Sequence, residues 1–463
     1  MVFSSLLFLF WFIPIFFAVY YICPAKWRNA VLFTGSIVFY AWGEPAYLIL
    51  IFISIFVNYL AGLGIARYSD TGTNSVKRRL VFILALVFDF GMLVVFKYTG
   101  FFVQNINGLF GTSIPDPHFT LPLGISFYTF QIASYVIDLY KNDIKCEKNP
   151  LDLGTYLVMF PQLIAGPIVI YSRVSDQLRS RSITYEKISD GITTFILGLS
   201  SKVLIANTVG QLWNDLEGIG YKNISMPLAW LGVVAFTLQI YFDFNGYSLM
   251  AVGLGKMLGF DIPRNFDHPY ISTSLTEFWR RWHMTLSGWF RDYVYIPLGG
   301  NRKGAARTYV NLFIVWFLTG FWHGAGWNFI CWGLFFFVLL TLEKSFLGSF
   351  LAGHKVFARI YSLVLIGLSW MIFAITDFAQ LGVYFSRLFA FSGLTNCPDA
   401  LYYVRNYAVV IAIGCLFSTP ALSAWFEKRK NRITGIAIQV VLLFMCIAYL
   451  ADAAYNPFLY FRF

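Results

Sequence analysis

Charge is what this chain has least of. Asp, Glu, Lys and Arg together make up 12% of the 463 residues, about half the share of an ordinary soluble domain. That shortage argues against a soluble globular enzyme. Extended polar tracts are also missing, so the chain does not read as disordered. Cysteine is sparse and scattered, at positions 23, 146, 331, 397, 415 and 446. No CxxC pair or metal-ligand spacing occurs among them, which argues against a disulfide framework and a thiolate metal site. Walker loops, dinucleotide fingerprints and GxSxG elbows are absent too. Histidine occurs only at 118, 268, 283, 323 and 354.

What is abundant is apolar. Hydrophobic residues account for 58% of the chain, and the mean hydropathy is +0.65. An integral membrane protein follows. A membrane span needs about 20 predominantly apolar residues. Candidate segments fall near 3–22, 29–43, 46–66, 80–102, 121–140, 151–170, 188–211, 227–255, 308–322, 326–345, 358–376, 407–425 and 433–454. The expected fold class is therefore an all-α polytopic membrane protein. It would hold roughly 11–13 embedded helices, with 29–43 and 308–322 tilted, broken or re-entrant. One integral membrane domain over 1–463 is expected, without an internal repeat. The first apolar run lacks a basic flank and a small-residue cleavage pattern, so it reads as a retained span.

The formal net charge is +11. Its bases lie between apolar runs, at Lys26 and Arg28, Lys77 to Arg79, Lys141 to Lys148, and Lys428 to Arg432. That is the positive-inside pattern of a membrane protein rather than a nucleic-acid footprint. It predicts an extracytoplasmic N-terminus and cytoplasmic basic loops.

Residues 274–295 break the run of spans. Phe278, Trp282, Leu286, Phe290 and Val294 recur at helical spacing, so an amphipathic helix on the cytoplasmic side is expected. Ser274 and Glu277 read as its capping box. The arginines lie around its other faces.

Among the histidines, His323 stands out. It lies in Leu318-Thr319-Gly320-Phe321-Trp322-His323-Gly324 between two apolar segments. A histidine at membrane depth usually faces a bundle interior or a wet cavity. Its ordinary pKa suits proton transfer near neutrality; bonding one helix to another is the alternative use. His283 lies on the amphipathic segment, where a structural role is equally open. Gln131, Asp138, Lys202, Asp243 and Asn245 sit in other apolar runs. They either line a polar tunnel or tie helices together.

Taken with Met1–Ser5, Leu121–Gln131, Phe160–Pro167, Tyr241–Ser248, Glu277–His283, Trp289–Asn301 and Asn456–Phe463, the His323 motif resembles the membrane-bound O-acyltransferases, in particular those that O-acetylate polysaccharides. The resemblance implies a helical bundle around a central tunnel, where a cytoplasmic acyl donor meets an extracytoplasmic acceptor. It implies His323 and His283 as catalytic residues, and Trp322, Asn328, Asp243, Asn245 and Gln131 as tunnel or substrate-lining. Arg280, Arg281, Arg291, Arg302 and Lys303 would form a basic rim for the phosphates of coenzyme A or an acidic carrier protein.

The donor expected from the resemblance is acetyl-CoA, with no permanently bound cofactor and no metal. The expected partners are an extracytoplasmic acetyltransferase, a polysaccharide acceptor and the lipid bilayer, with no nucleic acid. The expected location is the bacterial cytoplasmic membrane. Three rival readings stay open at this point: D-alanyl transfer to teichoic acid from a carrier protein, a polysaccharide transporter, and a non-catalytic scaffold.

Overall fold

A computed structural model describes residues 1–68, 72–164, 166–391, 397–452 and 459. The described residues contain helices and no strands, and the protein is an all-α polytopic membrane protein. Among the described residues, eight helices are long and apolar enough to cross a membrane: Pro45–Arg67, Asn74–Phe110, Tyr185–Ile219, Met226–Leu258, Trp327–Gly353, Lys355–Ala374, Pro398–Phe417 and Ile433–Asp452. Phe8–Ile22 is apolar but shorter. The remaining apolar segments are short helices that pack among them. The chain divides into two compact units, Met1–Ile192 with Ala251–Pro263, and Thr193–Met250 with Arg264–Phe463.

The first unit contains α1 (Ile13–Ile22), α2 (Arg28–Ala41), α3 (Leu48–Arg67), α4 (Thr73–Phe110), α5 (Ile125–Tyr140), α6 (Pro150–Val158), α7 (Phe160–Leu163) and α8 (Tyr171–Arg179). At 38 residues, α4 runs about 57 Å, well beyond a bilayer's hydrocarbon core of about 30 Å. Its Leu80, Leu84 and Val87 are exposed, as a lipid-facing surface requires. The segment expected near 151–170 is broken. Met159 leaves the helical conformation (φ −52°, ψ 120°), and Pro161, which has no N–H to continue α6, sits in the first turn of α7, where proline is favoured. The backbone N–H of Phe160 donates to Ser36 Oγ at 3.0 Å instead.

In the second unit, α9 (Tyr185–Ser200) and α10 (Asn207–Ile219) join through a π-helical stretch at Ser201–Ala206. There follow α11 (Met226–Leu258), α12 (Leu275–Arg281), α13 (Met284–Phe290), α14 (Ala305–His323), α15 (Trp327–Leu342), α16 (Gly348–Gly353), α17 (Lys355–Ala374), α18 (Phe378–Leu388), α19 (Pro398–Phe417), α20 (Pro420–Glu427) and α21 (Ile433–Asp452). The stretch expected as one segment at 407–425 is two helices. Pro420 has no N–H to continue α19 and sits where proline is favoured, in the first turn of α20.

Two close helix crossings shape this unit. A Cβ on Gly320 would lie 2.3 Å from the Phe329 carbonyl oxygen, and one on Gly333 2.3 Å from that of Trp316. Only glycine lets α14 and α15 approach this closely. Likewise a Cβ on Gly198 would lie 2.5 Å from the Gly246 carbonyl oxygen. Next to that crossing, Lys202 Nζ lies 2.5 Å from Asp243 Oδ1, both side chains 3% exposed.

Candidate active site

The segment 274–295 is not one helix. It breaks at Trp282 and His283, and His283 takes the left-handed conformation with φ +45°. That conformation is uncommon for any residue but glycine. A neighbouring strand of backbone compensates for the break. The Asp267 N–H donates to Arg281 O at 2.9 Å, and the Met284 N–H to Asn265 O at 2.9 Å. The apolar face survives the break, because Phe278, Trp282, Leu286 and Phe290 are all buried. Ser274 Oγ accepts the Glu277 N–H at 3.0 Å. The returning bond goes from Thr273 N–H to Glu277 Oε2 at 2.9 Å, one residue earlier than a standard capping box.

The turn fixes the tautomer of His283. Asn265 Oδ1 accepts the Thr285 backbone N–H at 3.2 Å and the Thr285 hydroxyl at 2.9 Å. A backbone N–H only donates, so the Asn265 atom that it meets is the carbonyl oxygen. His283 Nδ1 lies 3.1 Å from that same oxygen, so Nδ1 carries the proton and donates it. Nε2 is left with a bare lone pair. It is buried and has no hydrogen-bond partner among the described residues. Burial pushes the His283 pKa down to about 3, so the ring is neutral near pH 7. A buried acceptor without a donor is costly, and an arriving N–H, S–H or O–H group would relieve it.

His323 is the last residue of α14 and is buried at 7% exposure. It is boxed by rings: Trp322 at 5.1 Å, Trp332 at 5.0 Å and Phe373 at 5.3 Å between centroids. Trp322 also lies 6.1 Å from the His283 ring, so one indole separates the two histidines. Phe244 meets His283 edge-on at 4.7 Å.

A crevice of about 920 Å³ lies between α12, α13, α14 and the end of α15, and neither histidine is among the residues that line it. Arg280, Arg291 and Lys344 line it together with Trp279, Trp316 and Thr319. Thr319 lies one turn before His323 on α14, and Trp279 lies 5.6 Å from Trp332, the ring that flanks His323. Glu343 also lines the crevice. Its carboxylate accepts the Leu275 N–H at 2.7 Å and the Thr276 N–H at 2.9 Å, capping α12 from the end of α15.

The other expected site residues divide. Arg280 and Arg291 reach the crevice, with Arg291 paired to Asp292 at 2.7 Å. Arg281 pairs with Asp267 and Glu277, both at 3.0 Å, and does not line the crevice. Arg302 and Lys303 are exposed on the following loop, outside the crevice lining. Asn328 donates to the carbonyls of Ile372 and Phe373, which fixes Phe373 against His323. Asp243 pairs with Lys202 and accepts the Leu459 N–H at 2.8 Å. Asn245 is half-buried. In the first unit, Gln131 is fully buried, and neither end of its carboxamide has a hydrogen-bond partner among the described residues.

Apart from Leu459, the C-terminal motif Asn456–Phe463 lies outside the described residues. Among them, no group of three or more His, Cys, Asp or Glu side chains could hold a metal ion. Sequence reasoning missed Asn265, Glu343, Lys344, Trp332 and Phe373. Their contribution lies in contacts between elements distant along the chain, and only the charges of Glu343 and Lys344 at the end of an apolar run hinted at it.

The chain is 40% identical to a probable alginate O-acetylase of Azotobacter vinelandii, over the whole of both chains. It is 36% identical to another of that description from Pseudomonas putida, again over the whole of both. It is also 36% identical to a peptidoglycan O-acetyltransferase of Helicobacter pylori, over 81% of this chain and 77% of the relative. The profile of the membrane-bound O-acyltransferase family matches residues 37–386, which takes in both histidines, the aromatic box and the crevice. The chain is an O-acyltransferase and belongs to that family.

Proposed function

We propose that this enzyme moves an acetyl group from cytoplasmic acetyl-CoA to an extracytoplasmic polysaccharide, in the bacterial cytoplasmic membrane. The observation that carries this is the pair of buried histidines flanking Trp322, with a basic-edged crevice in the same unit. Arg280, Arg291 and Lys344 suit the phosphates of coenzyme A. The apolar inner wall suits the pantetheine arm, and a volume of about 920 Å³ falls within the usual range for a ligand site.

His323 acts as the base. It takes the proton of the acceptor hydroxyl as the oxygen attacks the thioester carbonyl. The C–S bond then breaks, and the proton passes from the imidazolium to the departing thiolate. His283 presents its Nε2 lone pair to the donor arm and orients it. Names among the relatives, alginate and peptidoglycan O-acetylation, support a polysaccharide acceptor. An extracytoplasmic acetyltransferase is the partner that fits this scheme: its own hydroxyl would be the acceptor at His323, and it would pass the acetyl group on to the polysaccharide.

The test is turnover of labelled acetyl-CoA by the purified protein in nanodiscs. His323→Ala should lower thioester consumption by about a hundred-fold or more with the helical content unchanged. Equal turnover in wild type and variant would remove His323 from the chemistry.

A further inference from the structure

Glu343 follows the last residue of the apolar helix α15, and its side chain is buried. A carboxylate taken out of water needs donors. Glu343 finds them on α12, 67 and 68 positions away in sequence. Its Oε1 accepts the Leu275 N–H at 2.7 Å. Its Oε2 accepts the Thr276 N–H at 2.9 Å and the Thr276 hydroxyl at 2.7 Å. Ser274 Oγ takes the next N–H, that of Glu277. The first turn of α12 is thus capped by one residue of its own and one from another helix.

At seven residues, α12 is too short to hold its own position. Its place is set by what it is tied to, and Glu343 ties its first turn to the α14–α15 hairpin. The other end of α12 carries Trp279 and Arg280, which line the basic crevice. Lys344, next to Glu343 in the chain, lines the same crevice and donates to Asn301 Oδ1 at 3.2 Å. Two cations of the crevice therefore stand on two separate elements, and one carboxylate joins those elements. A carboxylate turned toward a ligand phosphate would repel it. This one is turned to the N-terminal end of a helix, where negative charge is favoured.

We propose that Glu343 is a positioning residue for the acyl donor: it sets the spacing at which Arg280 and Lys344 take the donor's phosphates, and does not touch the donor itself. The inference rests on the reading of this crevice as the coenzyme A site. Phosphates held by two cations depend on the separation of those cations, because a charge-assisted hydrogen bond needs about 2.7–2.9 Å between its heavy atoms. The histidines lie outside the crevice lining, so loss of the Glu343 tie falls on donor binding and not on the chemical step.

The experiment compares two donors for the full-length protein in nanodiscs: acetyl-CoA, and S-acetylpantetheine, which has the thioester arm without the phosphates. Glu343→Gln keeps the shape of the side chain but offers one acceptor oxygen instead of two. It should raise KM for acetyl-CoA about ten-fold, the equivalent of one charge-assisted hydrogen bond. Its kcat, and its rate with S-acetylpantetheine, should stay within about two-fold of wild type. Thr276→Val removes the hydroxyl bond alone and should raise the same KM about three-fold, which keeps the test open should Glu343→Gln fail to fold. Unchanged KM in both variants would overturn the proposal. An equal loss with both donors, or a lower kcat at unchanged KM, would make Glu343 a cap of the fold alone and overturn it too. A wild type that uses the two donors equally well reads no phosphate, which removes the crevice as the coenzyme A site and the proposal with it.

Discussion

At the residue scale, Asn265 sets the chemistry available to His283, because it holds Nδ1–H and leaves Nε2 bare. Asn265→Asp keeps an acceptor for the Thr285 N–H but places a carboxylate beside the ring. A neighbouring negative charge favours imidazolium, which has no lone pair at Nε2. The expected result is a new acidic limb in the pH–rate profile of the variant between about pH 5 and 8, where the wild type shows none from His283. A purely structural asparagine would lower activity by the same factor at every pH.

The same residue predicts a pH dependence of stability. The folded His283 pKa lies near 3 against an ordinary 6.5, so over that interval the unfolded chain binds a proton that the folded chain excludes. The contribution is fully present above pH 6.5 and is lost as pH falls, at about 1.4 kcal/mol per unit. Melting in detergent should therefore drop more steeply from pH 7.5 to 5 for the wild type than for His283→Asn, since asparagine tolerates the left-handed backbone. Equal slopes would count against a buried neutral His283. The sequence pointed to both histidines, through their aromatic surroundings and the family motifs. It carried no trace of Asn265, whose role comes from a turn that passes alongside the helix break.

At the scale of elements, the α14–α15 hairpin places His323. Gly320 and Gly333 face each other across it, and a methyl group on either would meet a carbonyl oxygen at 2.3 Å. Alanine is about 1 kcal/mol better than glycine within a helix, yet here the clash is backbone to backbone and outweighs that gain. Gly320→Ala should lower both melting temperature and turnover, as α14 is pushed off α15. Gly382→Ala, at an exposed helical position with nothing within 4 Å, should hold or raise the melting temperature. If both variants behave alike, the close approach of the two helices is not what positions His323.

Helix existence was legible from apolar runs alone, whereas the breaks were not. Periodicity joined α12 to α13, since Phe278, Trp282, Leu286 and Phe290 share a face whether or not the backbone is continuous. The apolar run around Asp243 marked it as tunnel lining or a tie between helices, and the family resemblance marked Asn328 as tunnel or substrate lining. The first is tied to Lys202 and the second to two carbonyls, partners that lie 41 and at least 44 residues away in sequence. Hydropathy reports that a polar group is buried, not what it is bonded to.

At the scale of the whole molecule, the remaining question is which way the bundle faces. The bases of the first unit lie at helix ends: Arg67 at the end of α3, Lys77 to Arg79 in the first turns of α4, Lys141 to Lys148 after α5, Arg179 at the end of α8 and Lys187 in the first turn of α9. The loop between α4 and α5 has Asp116 and His118 and no Lys or Arg. Retention of Lys and Arg on the cytoplasmic side predicts the α4–α5 loop outside and the loop after α5 inside. In a variant with the native cysteines replaced, Ser113→Cys should react with a membrane-impermeant maleimide on intact spheroplasts. Lys145→Cys should react only after the membrane is opened. The opposite labelling would turn these helices over and overturn the orientation drawn from the basic loops.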